Sequence, residues 1–399
     1  MNSFIRNTPF PNNYLDELLL FEKGKGVYLE DAAGKKYLDF GAGIGVNAAG
    51  YGREDIAEIV YSQMKKLVHI SNLYASKPEV ELGKKLVNTG KFSAVHFGNS
   101  GSEANEAAIK YSRLYSLRTR GRGNHRILCF KGGFHGRTAG ALSCTPKALY
   151  QEPFLPLLPG IDVSEYNNAD KLEKILDKTY AAVIVEVIQG EGGLRAMEPE
   201  FANALNKICR KNDIVLIADE VQTGLGRTGY LYASEAVGLT PDIITLSKAL
   251  AGGLPLSATL IPERINRLIR PGEHGTTFGG GPVTTAAGSY VFDMLTEKSF
   301  LKEVREKGLF LKSLLEDLKT KYGIIKEIRG AGLLTGIVID APDKKGILAE
   351  IISFAVKKGL LLLRSGTDVI RIAPPLIITE EEIRRGIEIV NDIFKEIRI

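Results

Sequence analysis

Cysteine and histidine are scarce in this 399-residue chain. There are three cysteines (Cys129, Cys144, Cys209) and five histidines. No C-x-x-C occurs, which excludes a zinc ribbon and a thioredoxin-like redox site. Three widely spaced cysteines do not make a disulfide framework either; they read as free buried thiols of a reducing compartment. The histidines, at 69, 96, 125, 135 and 274, form neither H-x-x-x-H nor H-E-x-x-H, so no metal site is expected. Long apolar runs are lacking as well. None approaches the ~20 residues of a membrane span. Residues Met1 to Asn13 carry no apolar segment behind a basic cap, so no signal peptide is read there. A cytoplasmic protein without a membrane partner is the expectation. Charge of one sign is also in short supply: 52 basic against 47 acidic residues leave a net +5. One basic cluster stands out, at Arg113, Arg118, Arg120, Arg122 and Arg126. It suits nucleic acid, but a solvated helix end running into a loop explains it without a partner, and no nucleic-acid partner is expected.

What is present describes a globular chain. Hydrophobic residues at 44 % and charged residues at 25 % exclude disorder and collagen, and the length suits two or three units with a large core. Glycine is abundant: 43 residues, about 11 % against a usual ~7 %. Short apolar runs at Ala94–Phe97, Ile127–Phe130, Ala182–Val187, Ile214–Ala218 and Ile243–Leu246 read as buried strands. Helical patterns such as Glu103–Leu117 and Pro199–Lys211 lie between them. That alternation predicts an α/β fold: a mostly parallel central sheet flanked by helices. The last third has long amphipathic helices, Lys298–Tyr322 and Glu380–Ile397, around strands at Gly332–Asp340 and Val369–Ile372, and reads as a smaller α+β domain. Near the start, Gly26–Glu30 and Lys36–Phe40 read as a strand pair turned at Asp31–Gly34. The division expected is 1–45 packing with the small domain, 46–290 as the large domain and 291–399 as the small one.

Four places at strand ends carry chemistry. Asn99-Ser-Gly-Ser-Glu follows a strand and opens a helix, so Gly101 and Ser102 offer free N–H groups and a positive dipole end to a phosphate; the plain alternative is a capping box from Ser100 to Glu103. In Gly132-Gly-Phe-His-Gly-Arg-Thr138, Phe134 is placed to stack on a flat ligand and Arg137 to grip a carboxylate; core packing and a surface ion pair are the plain alternatives. Asp219 ends a run of five apolar residues and is costly there unless it holds a positive partner, such as a protonated pyridine nitrogen; a cap is the alternative. Lys248 follows another buried run. Desolvation and neighbouring cations would depress its pKa and make it a nucleophilic amine able to condense with an aldehyde, the alternative being a lysine that reaches back to solvent. Gly224-Leu-Gly-Arg-Thr-Gly229 imitates a dinucleotide fingerprint. Asp219–Gln222 separate it from its strand, and no second acidic residue follows at the right distance, so that reading is set aside. Together, a phosphate cradle, a stacking aromatic, a buried Asp and a desolvated Lys are the contacts pyridoxal phosphate requires.

With these residues in view the chain resembles the class III, fold-type I pyridoxal-phosphate aminotransferases over nearly its whole length. The resemblance rests on Asn99–Ala108, Phe134-His-Gly-Arg-Thr138, Gln189-Gly-Glu-Gly-Gly193, Asp219–Gly229, Ser247-Lys248 and His274–Gly280. It implies that Lys248 holds the cofactor's aldehyde and moves the substrate's proton. Asp219 would pair with the pyridine nitrogen and Gln222 with the phenolic oxygen. Phe134 and Val221 would sandwich the ring, and Gly101 and Ser102 would bind the phosphate. Thr276 and Thr277 would reach the phosphate from the other subunit of a homodimer. Within the class the nearest resemblance is to the acetylornithine and ornithine-type ω-aminotransferases, through Ser71-Asn-Leu-Tyr74, Phe134–Thr138 and Arg371-Ile-Ala-Pro-Pro375. Arg371 would then bind the α-carboxylate of the glutamate/2-oxoglutarate pair, Glu191 would neutralise Arg371 when the ω-amino substrate is bound, and Arg137 would grip the substrate's other carboxylate. N-acetylornithine with 2-oxoglutarate is the reaction implied. Ornithine, 4-aminobutyrate, succinylornithine or a lysine-pathway amine are the alternative donors. A catalytically silent binding protein on the same fold needs neither Lys248 nor Asp219. Gly50-Tyr-Gly-Arg-Glu replaces the family's usual Gly-His-x-His-Pro, Val187 follows Glu186 where Pro is usual, and Gly281-Pro-Val replaces Asn-Pro-Leu. None of these touches the cofactor contacts.

Overall fold

The computed structural model describes residues 4–6, 8–13 and 17–397. The leader reading at Met1–Asn13 lies partly outside them, as do the outer ends of the first and last expected units. The central sheet has seven strands: β1 (Ala94–Gly98), β2 (Arg126–Phe130), β3 (Ile161–Ser164), β4 (Tyr180–Val185), β5 (Val215–Asp219), β6 (Ile243–Leu246) and β7 (Ser257–Ile261). Their spatial order is β1-β7-β6-β5-β4-β2-β3. All pairings are parallel except those of β7, which runs against both neighbours.

The continuous apolar runs follow from burial on both faces. Successive side chains of a strand point to opposite sides. Leu128, Phe130, Val183, Val185, Leu216 and Ala218 therefore join one core cluster, while Ile127, Cys129, Ala182, Ile184, Val215 and Ile217 join another. Helix α1 (Gly101–Arg120) contributes Ala107, Ala108 and Ile109 to the second cluster. All three cysteines are buried and unpaired.

Among the described residues two short two-stranded pairs and two four-stranded sheets lie beside the central one. Strands Ile325–Ala331, Leu334–Ile339, Val369–Ile372 and Leu363–Ser365 form one. The other joins the two ends of the chain: Leu360–Leu361 pairs in parallel with Lys36–Asp39, which pairs with Tyr28–Asp31 and, beyond it, Phe21–Lys25. The turn at 31–34 is held by Asp31, whose Oδ1 accepts from the N–H groups of Ala33 and Lys35 at 2.9 Å. The strand expected at 182–187 ends instead at Val185. There Glu186 turns its carboxylate to accept from the backbone N–H groups of Phe134 and Gly190 at 2.8 and 3.0 Å.

Gly224–Gly229 forms consecutive turns and the next helix begins only at Ala233. Gly226 and Gly229 serve close packing against the helices that span 282–296 and 298–321. Gly229 has φ +82°, and a Cβ there would lie 2.2 Å from Cγ of Arg305. Gly229→Ala should therefore lower the unfolding free energy by about 2–4 kcal/mol, as a shift of the urea midpoint at constant slope. A midpoint unchanged by the substitution would show that the neighbouring helix yields freely.

The basic cluster is largely consumed inside the molecule. Arg113 donates to the carbonyls of His125 and Pro159, and Arg120 to those of Lys178 and Tyr180. Arg118 pairs with Glu273 and Arg126 with Asp162. These arginines tie helix ends and strand starts together on the side of the sheet opposite the carboxyl ends of β4 and β5.

Candidate active site

A cavity of about 160 Å³ opens at the carboxyl ends of the parallel strands, where open α/β sheets receive ligands. Its wall takes Ser100, Gly101 and Ser102 from the β1–α1 junction, Phe134 and His135 after β2, and Glu186, Gly190 and Glu191 after β4. Asp219, Val221 and Gln222 come from the end of β5, and Ser247 and Lys248 from the end of β6.

Asp219 is 4 % exposed and held from three sides. Its Oδ2 accepts from Nδ2 of Asn105 at 2.8 Å and lies 2.8 Å from Nδ1 of His135; its Oδ1 accepts from the N–H of Val221 at 3.1 Å. Asn105 is fixed in turn by the hydroxyl of Thr245 and by the carbonyl of His135. Burial disfavours a charge on His135. The hydrogen bond and charge of Asp219 prevail and raise the imidazole above its ordinary pKa. Glu186 is pushed up to about 7, first by burial; the charge of His135 opposes the rise and that of Asp219 adds to it.

Lys248 begins a short 3₁₀ turn at φ +25°, an uncommon conformation for a residue with a side chain. Strain of this kind is retained where the surroundings over-determine it, commonly at sites of function. Burial, and next the charge of Arg371, lower its amine to about 8 against the pull of Asp219, Glu191 and Glu186.

The junction of β1 and α1 satisfies both readings of its sequence. Ser100 and Glu103 form the capping box, with Oγ accepting from the Glu103 N–H at 3.3 Å and the carboxylate accepting from the Ser100 N–H at 2.9 Å. The cap uses the Ser100 side chain and leaves the first-turn N–H groups of Gly101 and Ser102, which line the cavity, without an intrahelical partner. A Cβ at Gly101 would lie 2.6 Å from Cγ1 of Val221. Glycine is needed there for the cradle to close on the Val221 side.

Pyridoxal phosphate fits what is present. The side-chain oxygen of Gln222 is buried in the cavity wall without a hydrogen-bond partner, so a donor from a ligand would complete it. A carboxylate, an amine, free N–H groups at a helix start and an aromatic face surround the same volume.

Not every expected site residue meets in this cavity. Arg371 and Glu191 meet at its margin: Nη1 lies 2.6 Å from Oε1 and also donates to the Gly190 carbonyl at 3.0 Å. Arg371 lies on the strand Val369–Ile372 of the second sheet, so this pair links that sheet to the turn after β4. Arg137 stands apart and exposed, its guanidinium carbon 3.5 Å from the centroid of the Tyr150 ring. Thr276 and Thr277 do not line the cavity. Thr276 accepts from Asn72 through its carbonyl, and Thr277 is exposed. His135 and Asn105 lie inside the sequence motifs and Glu186 fits the family pattern, but the sequence alone assigns none of these, nor Thr245, a place in the site. The available signal was that His135 sits inside a glycine-flanked motif and that Glu186 ends an apolar run as Asp219 does.

Comparison with known proteins agrees with this geometry. The family described as aminotransferase class-III matches residues 10–394. A probable mitochondrial acetylornithine aminotransferase of Dictyostelium discoideum is 46 % identical over 92 % of this chain and 81 % of its own. The acetylornithine aminotransferase of Caldanaerobacter subterraneus subsp. tengcongensis is 41 % identical over 95 % of each chain. Among solved structures, the ornithine aminotransferase of Toxoplasma gondii ME49 superposes with a TM-score of 0.91 at 29 % identity, covering 97 % of this chain and 92 % of its own. The N-acetylornithine aminotransferase of Stenotrophomonas maltophilia K279a gives 0.82 at 31 % identity, covering 94 % and 95 %.

Proposed function

The chain belongs to the class III aminotransferases, which depend on pyridoxal phosphate, and from that premise we propose that it transfers the ω-amino group of N-acetylornithine to 2-oxoglutarate, giving N-acetylglutamate semialdehyde and glutamate, a step of arginine biosynthesis. The observation that carries this reading is the Arg371–Glu191 pair beside the cavity of Lys248 and Asp219. One pocket must admit two ligands of different charge, and a buried arginine whose partner is a half-exposed carboxylate offers a way to do so.

When bound, pyridoxal phosphate supplies an aldehyde and a ring that withdraws electron density from the reacting carbon. The residues around it do the rest. Lys248, with its lowered pKa, offers a neutral amine at mild pH and then takes and returns the proton at the carbon bearing the nitrogen. Asp219, braced by Asn105 and His135, holds a positive charge at the ring nitrogen. Gly101 and Ser102 bind the phosphate, Gln222 the phenolic oxygen, and Phe134 and Val221 the two ring faces. Glu191 neutralises Arg371 while the donor is bound. Arg371 takes the α-carboxylate of 2-oxoglutarate once Glu191 has moved aside, and Arg137 grips the donor's carboxylate.

The working unit in this proposal is a homodimer, with Thr276 and Thr277 of each copy serving the other's phosphate. Support comes from apolar side chains left open around that loop. Leu73 is 85 %, Tyr74 72 % and Phe278 67 % exposed; Asn72 ties the first group to Thr276, and His69 packs on Phe278. Three buried, unpaired cysteines support a cytoplasmic location. Among the described residues no helix is long and apolar enough to cross a membrane.

A half-reaction screen tests the donor. Each amine is mixed with the pyridoxal form and conversion to the pyridoxamine form is followed. N-acetylornithine is expected to react at least ~10-fold faster than ornithine, succinylornithine or 4-aminobutyrate. A faster reaction with any of these would overturn the choice of donor while leaving the reaction class intact.

A further inference from the structure

A second hollow of about 270 Å³ shares Phe134 and Glu191 with the first and includes Lys147 and Tyr150 in its wall. At its edge two cations use one aromatic ring. The guanidinium carbon of Arg137 lies 3.5 Å from the Tyr150 centroid, and Nζ of Lys147 lies 4.3 Å from the same centroid while donating to the Tyr150 hydroxyl at 3.0 Å. Phe134 meets Tyr150 edge-on at 6.4 Å and 85°. Among the described residues no carboxylate pairs with Arg137 or Lys147. Two like charges gathered on one ring without a counter-ion form a site that an anion completes.

We propose that Tyr150 is the positioning residue that sets specificity for the carboxylate of the amino donor, by holding Arg137 over its ring and near Phe134, with Lys147 as a second cation. This rests on the reading of Arg137 given above. A guanidinium stacked on a ring keeps its in-plane N–H groups free for two parallel hydrogen bonds to a carboxylate. The stack also restricts an otherwise mobile, exposed side chain, so less freedom is lost when the carboxylate arrives. Tyr150 thus acts on binding through Arg137, at a distance from the reacting carbon.

The test uses the enzyme loaded with pyridoxal phosphate and a pair of amines that differ only in a carboxylate: an ω-amino acid that the wild type accepts and the corresponding unsubstituted alkylamine. Tyr150→Leu should raise KM for the amino acid about 3–5-fold, the change expected for losing a cation–π contact at an exposed site. Its kcat should stay within about 2-fold, and the constants for the alkylamine and for 2-oxoglutarate should not move. Tyr150→Phe keeps the ring and should stay within about 2-fold throughout. If the leucine variant does not fold, Tyr150→Met fills the space with a flexible chain and should give the same selective rise. Equal losses for all three substrates would mean that Tyr150 merely supports the fold. An unchanged KM for the amino acid in Tyr150→Leu would mean that Arg137 needs no platform. Either result overturns the proposal. Should N-acetylornithine prove a poor donor, the comparison runs unchanged on whichever ω-amino acid the screen selects, so the two readings fail separately.

Discussion

Lys248→Ala abolishes transamination, with kcat falling by about 10⁴-fold or more, and the yellow absorbance band of the wild-type holoenzyme disappears with it. A positioned acid–base group alone contributes about 10²–10⁴-fold, and loss of the nucleophilic amine adds to that. The size of the effect follows from the environment of the amine. At pH 7.5 an amine near pKa 8 is about one-quarter neutral, whereas an ordinary lysine is neutral to about 0.1 %. The same shift governs stability, with a definite sign. Folding depresses the pKa, so between about 8 and 10.5 the unfolded chain binds more protons than the folded one, and stability rises with pH across that window. At neutral pH the cofactor-free wild type therefore carries the cost of a desolvated ammonium that the alanine variant lacks. The variant should unfold at no lower urea concentration than the wild type at pH 7, which separates lost chemistry from lost structure. A colourless wild type that takes up no added pyridoxal phosphate, or an alanine variant that keeps the band, would sink the assignment.

The reasons why Lys248 could be found in the sequence also explain what was missed. A charged residue directly after Ile243–Leu246 contrasts with its surroundings, and so does Asp219 after Val215–Ala218, because both strands are buried on two faces and leave no polar position to hide among. Ile243–Leu246 and Val369–Ile372 were located to the residue for the same reason. Strand β3, Ile161-Asp-Val-Ser, lies at the sheet's edge with Val163 exposed, and its mixed composition does not separate it from a loop. Strand β7 carries Ser257 and Thr259 in full burial. Thr259 is satisfied by the carbonyl of Ala104, a contact across more than a hundred residues that local pattern does not reveal. Asn105 looks like an ordinary polar helix position; it becomes part of the site only because α1 crosses the sheet above Asp219 and Thr245. Glycine content behaved differently. Six short segments, 98–101, 132–136, 190–193, 224–229, 252–253 and 275–281, hold 17 of the 43 glycines. Two of these positions, Gly101 against Val221 and Gly229 against Arg305, need close approach, and Gly229 needs a left-handed backbone as well.

Arg371→Ala should cut kcat/KM for 2-oxoglutarate by about 10²–10³-fold, the loss expected for a buried charge-assisted contact of about 3–4 kcal/mol, while the ω-amino donor loses less than about 10-fold. The asymmetry comes from how the two partners are held. Arg371 is 3 % exposed, fixed on a strand that is paired on both sides, and donates to the Gly190 carbonyl; its Nε is buried without a partner, which an incoming carboxylate can satisfy. Glu191 sits in the short turn between Ile188–Gln189 and Arg195–Ala196 with about 30 % of its side chain exposed, so water can take its charge when it leaves. The arginine is therefore expected to stay while the glutamate moves. Glu191→Gln should have the opposite bias, retaining 2-oxoglutarate and weakening discrimination in favour of the singly charged donor end. Removal of Arg371 also has an effect at a distance. Its charge is the second cause, after burial, of the lowered amine pKa of Lys248, so the donor half-reaction of Arg371→Ala should need a higher pH to reach its plateau. Equal losses for donor and acceptor, with an unmoved pH profile, would refute both the exchange of partners and the coupling of Arg371 to the reacting amine.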